Sequence, residues 1–489
     1  MPTIIRKIAI ALLLGLAGVL TASAGQYYDL ALKAFDSGDY ERCIELFEKK
    51  IPAEIKQEKK ERIFNNYSWW PYVESAFAIK DFKRAYKGIN NHIKVIDQKK
   101  DWVGRPLVPL TPSDLEHWSL EKKEELDYLL VIFFHEQRYD ADNFNNSPFI
   151  KHLAGINRYT LNSLKAKAAE TYFNDAIESL KYSSDFAFGD LIRAADFGHM
   201  EAAEAVAKAY ETGKLKLSDG SSIAVVRDMA RSLVYWEKLA DARAAQTDTE
   251  LYPLYKCAEI YLYNDTIRNL PKAISYFDRV ILSEVNAPFL KSAAHKNRAQ
   301  CYMEMGDTVA FFNKNREAFE AGYNSVAHNL GNCYKNGWGT GIDFDKAFEA
   351  YSAGMEAQNV FSPVVPCQWE TGMLLRDGKG CAADPERAME LFKAASDAGL
   401  IFAQYTLAEE YYKRQQWVEA MALCQTVAER EDRIPNAARA SVCKMMARMY
   451  THGRGVPADE AQARQWWDRA ASYGDDDAGI ISRWLGQNQ

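Results

Sequence analysis

Several residue groups in this chain have the types and spacing that chemistry requires, and each fails on a specific residue. His135-Glu136 begins like the metal helix of a zinc hydrolase, but the second histidine would have to stand at position 139, which is Tyr139. No metal pair forms on one helix face. Ser119-x-x-Lys122 and Ser441-x-x-Lys444 place a hydroxyl one helical turn from an amine, as acyl-serine enzymes do, yet the motifs that accompany that pair are absent. Gly-x-Gly runs at Gly337, Gly378 and Gly453 could cradle a phosphate, but they follow helical patterns instead of strands and recur at fixed intervals. They read as turns. The 8 histidines are scattered, and no Cys/His set has zinc spacing. No catalytic residue, metal or cofactor is therefore expected.

What positions the glycines is a repeat. Counting from Tyr334 as zero, Gly337, Gly339, Asp343, Ala347, Tyr351 and Gly354 fall at +3, +5, +9, +13, +17 and +20. From Leu375 the same count gives Gly378, Gly380, Asp384, Ala388, Phe392 and Ala395, and from Tyr450 it gives Gly453, Gly455, Asp459, Ala463, Trp467 and Ala470. A repeat of this length implies stacked supersecondary units. The fold class that follows is all-α, a right-handed α-solenoid of antiparallel helix hairpins. Small residues at −3 (Gly331, Gly372, Ala447), +13 and +20 let the helix backbones approach, and the large residues at 0 and +17 fill the space between them. The Gly-x-Gly pair ends the first helix, and the aspartate caps the second. Pro385, directly after Asp384, suits a first helical position.

Other units are degenerate. Tyr210, Gly213, Asp228, Ser232 and Trp236 keep the pattern with nine extra residues, so Lys214 to Val226 is expected to be a protruding loop. The stretch from Tyr412 to Ala420 is five residues short and lacks the glycines. Tyr261 with Ala273, and Tyr302 with Gly306-Asp307, fill the gap between these units. Near the start, Gly38-Asp39-Tyr40-Glu41 followed by Ile44 and Phe47 is a further hairpin, with Cys43 in the place of a small core residue, and Phe77 to Val95 makes another.

The series Tyr/Leu, Gly-x-Gly, Asp, Ala, aromatic, Ala-x-x-x-Gly, complete in Leu375 to Gly399 and Tyr450 to Gly474, resembles the Sel-1-like repeat, a relative of the tetratricopeptide repeat. The resemblance covers residues 194–489; residues 25–100 look like ordinary tetratricopeptide hairpins, and residues 101–193 are helical without a clear repeat. It implies an adaptor, regulator or assembly scaffold. Some exported bacterial members of the family are immunity proteins that neutralise phospholipase effectors of type VI secretion, and cell-wall hydrolysis or penicillin binding has been proposed for cysteine-rich relatives.

The cysteines have their own geometry. Cys301 and Cys333 share one repeat position and are expected a hairpin apart, too far to bridge; Cys367 and Cys381 flank one helix. Cys424 and Cys443 lie on consecutive helices, equidistant from the turn near Ile434, and are the candidate disulfide. The other reading of that pair is two small core residues.

Composition sets the outer limits. With 48% hydrophobic and 26% charged residues, the chain has material for a packed core and is not mainly disordered. Its net charge of −7 argues against a nonspecific hold on nucleic acid or anionic lipid. Arg6 and Lys7, the apolar run Ile8 to Leu20, and Ala22-Ser23-Ala24 form an export signal over residues 1–24, cleaved before Gly25. The apolar run is too short to span a bilayer. No lipid-accepting cysteine stands at the cleavage point. The expected mature protein is periplasmic or secreted, without stable membrane insertion. It is expected to bind a protein partner on a concave solenoid surface, and a secreted toxin or effector is one candidate. Trp338 is the candidate anchor, because Lys379 and Arg454 occupy its place in the other copies, where packing requires nothing aromatic. The alternative for Trp338 is a ring folded back on a neighbouring helix.

Overall fold

One backbone hydrogen bond organises each of the three complete turns of the repeat. The N–H of residue +9 donates to the carbonyl of residue 0: Asp343 to Tyr334 at 2.9 Å, Asp384 to Leu375 at 2.9 Å and Asp459 to Tyr450 at 3.0 Å. The bond brings the end of one helix to the start of the next, so nine residues of chain close a tight hairpin. Each aspartate then caps the second helix through its own side chain, its Oδ1 accepting from the N–H of Lys346 (3.0 Å), Arg387 (2.9 Å) or Gln462 (2.9 Å).

The structure, a computed structural model, describes residues 24–51, 70–89, 115–116, 126–127, 129–131, 133–134, 140–156, 159–180, 184–217, 220–242, 248–356, 363–430 and 434–487. The expected export signal up to position 23 lies outside these residues, as do Ser119, Lys122, His135, Glu136 and Tyr139. The fold is an all-α solenoid of stacked hairpins, divided into two compact units, Met1–Leu239 and Ala240–Gln489.

The first unit contains α1 (Ala24–Asp36), α2 (Tyr40–Glu45), α3 (Trp70–Ala78) and α4 (82–89). After these come α5 (Ala141–Asn146), α6 (Pro148–Ala154), α7 (Leu161–Ser179), α8 (Ser184–Asp196), α9 (Met200–Thr212) and α10 (Met229–Ala242), in whose last turn the division falls. The described residues between 140 and 196 are mainly helical, as their sequence implies, and Glu74 binds this stretch to α3: its carboxylate accepts from the Ser147 hydroxyl at 2.7 Å and the Phe149 N–H at 2.9 Å.

The protruding loop expected from Lys214 to Val226 is instead an antiparallel β-hairpin, β1 (Lys214–Lys216) with β2 (Ser222–Ala224), registered through Leu215 and Ile223. The Lys-Leu-Lys alternation turns Leu215 inward while both lysines stay exposed, which is the period of a strand. The insertion leaves the repeat's closing bond intact, since the Asp228 N–H still donates to Tyr210 O at 3.0 Å and Asp228 caps α10 through Arg231 N–H.

The second unit runs through α11 (Asp248–Tyr263), α12 (Leu270–Leu282), α13 (Pro288–Glu304), α14 (Thr308–Glu320), α15 (Ala327–Asn336), α16 (Phe344–Glu356), α17 (Val364–Asp377) and α18 (Pro385–Asp397). It ends with α19 (Ile401–Lys413), α20 (Trp417–Glu429), α21 (Asn436–His452), α22 (Glu460–Ser472) and α23 (Asp476–Gln487), each helix packing on the one before it. The small residue at −3 receives the aromatic at +17. A Cβ on Gly331 would stand 2.3 Å from the Tyr351 ring, and one on Gly372 would stand 2.7 Å from the Phe392 ring.

Two hairpins of this unit close at +5 instead of +9, with Asp307 N–H on Tyr302 O and Gln416 N–H on Tyr411 O, both at 2.9 Å. In the second of these, position 0 is Tyr411 and not Tyr412, and the turn is four residues short, not five. Sequence could not separate two adjacent tyrosines; the carbonyl that accepts the bond does. Tyr412 packs edge-on against Trp417 instead, 5.1 Å between ring centroids.

Candidate functional site

The two glycines of each turn do different work. Gly337, Gly378 and Gly453 end their helices in the left-handed conformation, at φ +73°, +64° and +60°. Gly339, Gly380 and Gly455 face the hairpin before. A Cβ on Gly339 would stand 2.1 Å from the Thr308 carbonyl oxygen, one on Gly380 2.1 Å from that of Phe344, and one on Gly455 2.6 Å from that of Trp417. Each of those residues is the first of the preceding hairpin's second helix, so the second glycine is where consecutive repeats touch backbone to backbone.

That contact also sets what the residue between the glycines meets. Lys379 holds its ammonium 5.8 Å from the centre of the Phe344 ring, and Arg454 holds its guanidinium 5.0 Å from that of Trp417. In the third copy the ring has moved and the cation is missing: Trp338 stands between the glycines, and the first residue of α14 is the neutral Thr308. Among the described residues the Trp338 ring has neither a cation nor an aromatic partner, and its indole N–H makes no hydrogen bond; it is 41% exposed. Val309, whose Cα lies 2.8 Å from the place of a Cβ on Gly339, is 57% exposed, and Ile342 at the end of the same turn is 63% exposed. Together they form an apolar patch at the turn edge of the α13–α16 region.

The first helices of successive hairpins are tied side by side by polar pairs. Lys335 on α15 pairs with buried Glu370 on α17 at 2.7 Å. The Trp369 indole N–H donates to Thr406 on α19 at 3.0 Å, and Arg376 lies 3.6 Å from Glu410. This ladder also uses the Ser441-x-x-Lys444 pair, because the Ser441 hydroxyl donates to Glu409 at 3.4 Å while Lys444 is ion-paired with Asp475. The lysine is not available to activate the serine. Two histidines on first helices are held neutral. Burial, with Arg298 beside it, pushes His295 down to about 4, and burial, with Lys335 and Lys296 nearby, pushes His328 down to about 4.

All eight cysteines are free thiols, seven of them buried and Cys381 partly exposed. Cys424 packs with Met421, Val427 and Met446, and Cys443 with Ala447 and Trp467. Both act here as small core residues. Desolvation raises the Cys424 thiol to about 12 and Cys443 to about 11. Asp343, Asp384 and Asp459 are all spent on helix caps. For Asp343 the Lys346 backbone and ammonium hold the carboxyl below its ordinary range.

Sequence reasoning missed the cations that cover the position-0 tyrosines. Arg231 lies 5.7 Å from the Tyr210 ring, Lys272 5.0 Å from Tyr261 and Lys346 5.6 Å from Tyr334, in each case three residues after the cap. The spacing was present in the sequence and is legible once the cap is fixed. An open cleft in the second unit, lined by Leu251, Leu254, Pro271, Ile274 and Leu282, carries Asp278, which is engaged by Arg298 at 2.8 Å. Among the described residues no His/Cys/Asp/Glu group could hold a metal ion, and no helix is long and apolar enough to cross a membrane.

The Sel1 repeat family profile matches residues 325–349, 365–400 and 440–475. Among solved structures, the chain is similar to a Sel1 repeat protein from Oxalobacter formigenes at 18% identity, over 74% of this chain and 93% of that one, with a TM-score of 0.49. It is also similar to c5321, a protective antigen of uropathogenic Escherichia coli displaying an SLR fold, at 14% identity over 88% and 81% of the two chains, TM-score 0.47. Yeast Tom70 matches at 13% identity over 92% and 93%, TM-score 0.35.

Proposed function

We propose, from the premise that this chain is a Sel1-like repeat protein, that it is a noncatalytic binder of another protein and that the partner docks on the turn edge around Trp338. Folds of this class are typically scaffolds for protein–protein contacts. The observation that carries the reading is the patch of Trp338, Val309 and Ile342. These side chains are exposed in a unit whose turn glycines, capping aspartates, first-helix charges and thiols are otherwise committed to structure. An exposed Trp supplies large contact area at small entropic cost and is a common hot spot.

The proposed setting is a periplasmic or extracellular space, supported by the Arg6-Lys7 and Ile8 to Leu20 export signal. The narrower form, an immunity protein that neutralises a phospholipase effector of type VI secretion, rests on the family resemblance alone. The test is affinity capture from periplasmic extract with wild-type protein and Trp338→Ala. The expected result is one protein retained stoichiometrically by the wild type, with an affinity loss of at least about 2 kcal/mol, roughly 30-fold, in the variant. Its melting curve should be unchanged. Turnover of lipid, peptidoglycan or β-lactam by the isolated chain, abolished by one point change, would overturn the proposal.

A further inference from the structure

At the two other complete turns, the residue between the glycines is a cation lying on an aromatic ring of the preceding hairpin: Lys379 on Phe344 and Arg454 on Trp417. Both halves of the pair are supplied by this chain. At the third turn the ring is present as Trp338, the position beneath it is Thr308, and no cation of the described chain lies over it. From this broken pair, and resting on the protein-binding function above, we infer that Trp338 receives an arginine or lysine side chain from the partner, completing between two proteins the stack that its neighbours make within one.

The surroundings suit such a side chain. Val309 and Ile342, both more than half exposed, give the aliphatic stem of an arginine or lysine an apolar rim to lie on, while the charged head sits over the ring. In the other copies the rim is Asp345 and Ala383 beside Lys379, and exposed Val418 and Ala458 beside Arg454, but there each ring already carries a cation of this chain, whereas the Trp338 ring carries none. The occupant is therefore a basic, partly apolar segment of a protein, docked at one turn and not along the whole array.

The test uses the full chain labelled with 5-fluorotryptophan. The 338 resonance is assigned among the 11 tryptophans by Trp338→Phe. The protein is titrated with acetyl-Leu-Arg-Leu-amide and with the same peptide carrying citrulline, which keeps the shape and removes the charge. The arginine peptide should shift the 338 resonance saturably and bind about two- to fivefold more tightly than the citrulline peptide, the ratio expected of an exposed cation–aromatic pair. The double variant Thr308→Phe with Trp338→Lys rebuilds the internal pair and should abolish the response while the fold is retained. Equal affinity for the two peptides, or a response that spares residue 338, overturns the inference. If a partner is captured and lost with Trp338→Ala while the peptides bind equally, this inference fails and the protein-binding function stands.

Discussion

The contact made by Gly380 gives a sharp comparison with its neighbour Gly378. Both have positive φ, +70° and +64°, so a side chain at either site must adopt the left-handed region at about 1–2 kcal/mol. Their surroundings differ. A Cβ on Gly378 would meet the Ala383 methyl at 3.2 Å, a contact that a shift of a few tenths of an ångström relieves. A Cβ on Gly380 would stand 2.1 Å from the Phe344 carbonyl oxygen, 2.3 Å from its carbon and 2.7 Å from the Asp345 nitrogen. These are backbone atoms in the first turn of α16, so relief requires the two hairpins to part. Overpacking of that kind adds about 1–3 kcal/mol. Gly378→Ala should therefore cost about 1–2 kcal/mol and Gly380→Ala about 2–5 kcal/mol. For a unit of this size, with about 2–4 °C per kcal/mol, that is a fall of roughly 2–8 °C against one of roughly 4–20 °C. Differential scanning calorimetry resolves the two, provided the transition of the second unit is followed separately if the units melt apart. Equal losses at the two sites would refute the claim that the second glycine, and not the first, is where repeats meet.

The turn geometry also marks a weak point. Gln415 holds φ +60° at a position where the equivalent turn has Gly306, so Gln415→Gly should raise stability by about 0.5–1 kcal/mol, seen as a higher urea midpoint; a loss would show the turn is unstrained. The thiols should resist alkylation at pH 8, because burial holds Cys424 near 12 and Cys443 near 11; Cys381 should react first in a mass-mapped iodoacetamide time course, and a Cys424–Cys443 disulfide in native protein would contradict this. His295 and His328 are both depressed from 6.5 to about 4, so the unfolded chain binds more protons below pH 6.5. Stability should be full above that pH and fall toward pH 4, by up to about 1.4 kcal/mol per pH unit for each histidine, and His295→Gln should flatten the profile measured by urea unfolding.

What the sequence made legible was local. The count from Tyr334, Leu375 and Tyr450 located the helix ends, because left-handed glycines and capping aspartates act within one turn of chain. The same count placed the +17 aromatics, since a helix of fixed pitch returns a side chain to the −3 position of its partner. What was hidden depends on neighbours distant in sequence. Gly339, Gly380 and Gly455 look identical to the first glycines until the preceding hairpin is in place. The broken cation–ring pair at Trp338 appears only when Thr308, 30 residues earlier, is seen beneath the turn. The β-hairpin at Lys214–Ala224 went unread because three-residue strands carry too little alternation to stand out from a loop. The Tyr411 register was lost to an adjacent tyrosine.

The central claim, that the Trp338 patch is the docking surface of a protein partner, is tested most directly by site-specific photocrosslinking in the native host. Benzoylphenylalanine is placed in turn at 338, 309 and 342, and at exposed Gln425 on α20 as the control. The account expects one protein species crosslinked at all three patch positions and not at 425. No adduct at the patch, or the same adducts at 425, would contradict it.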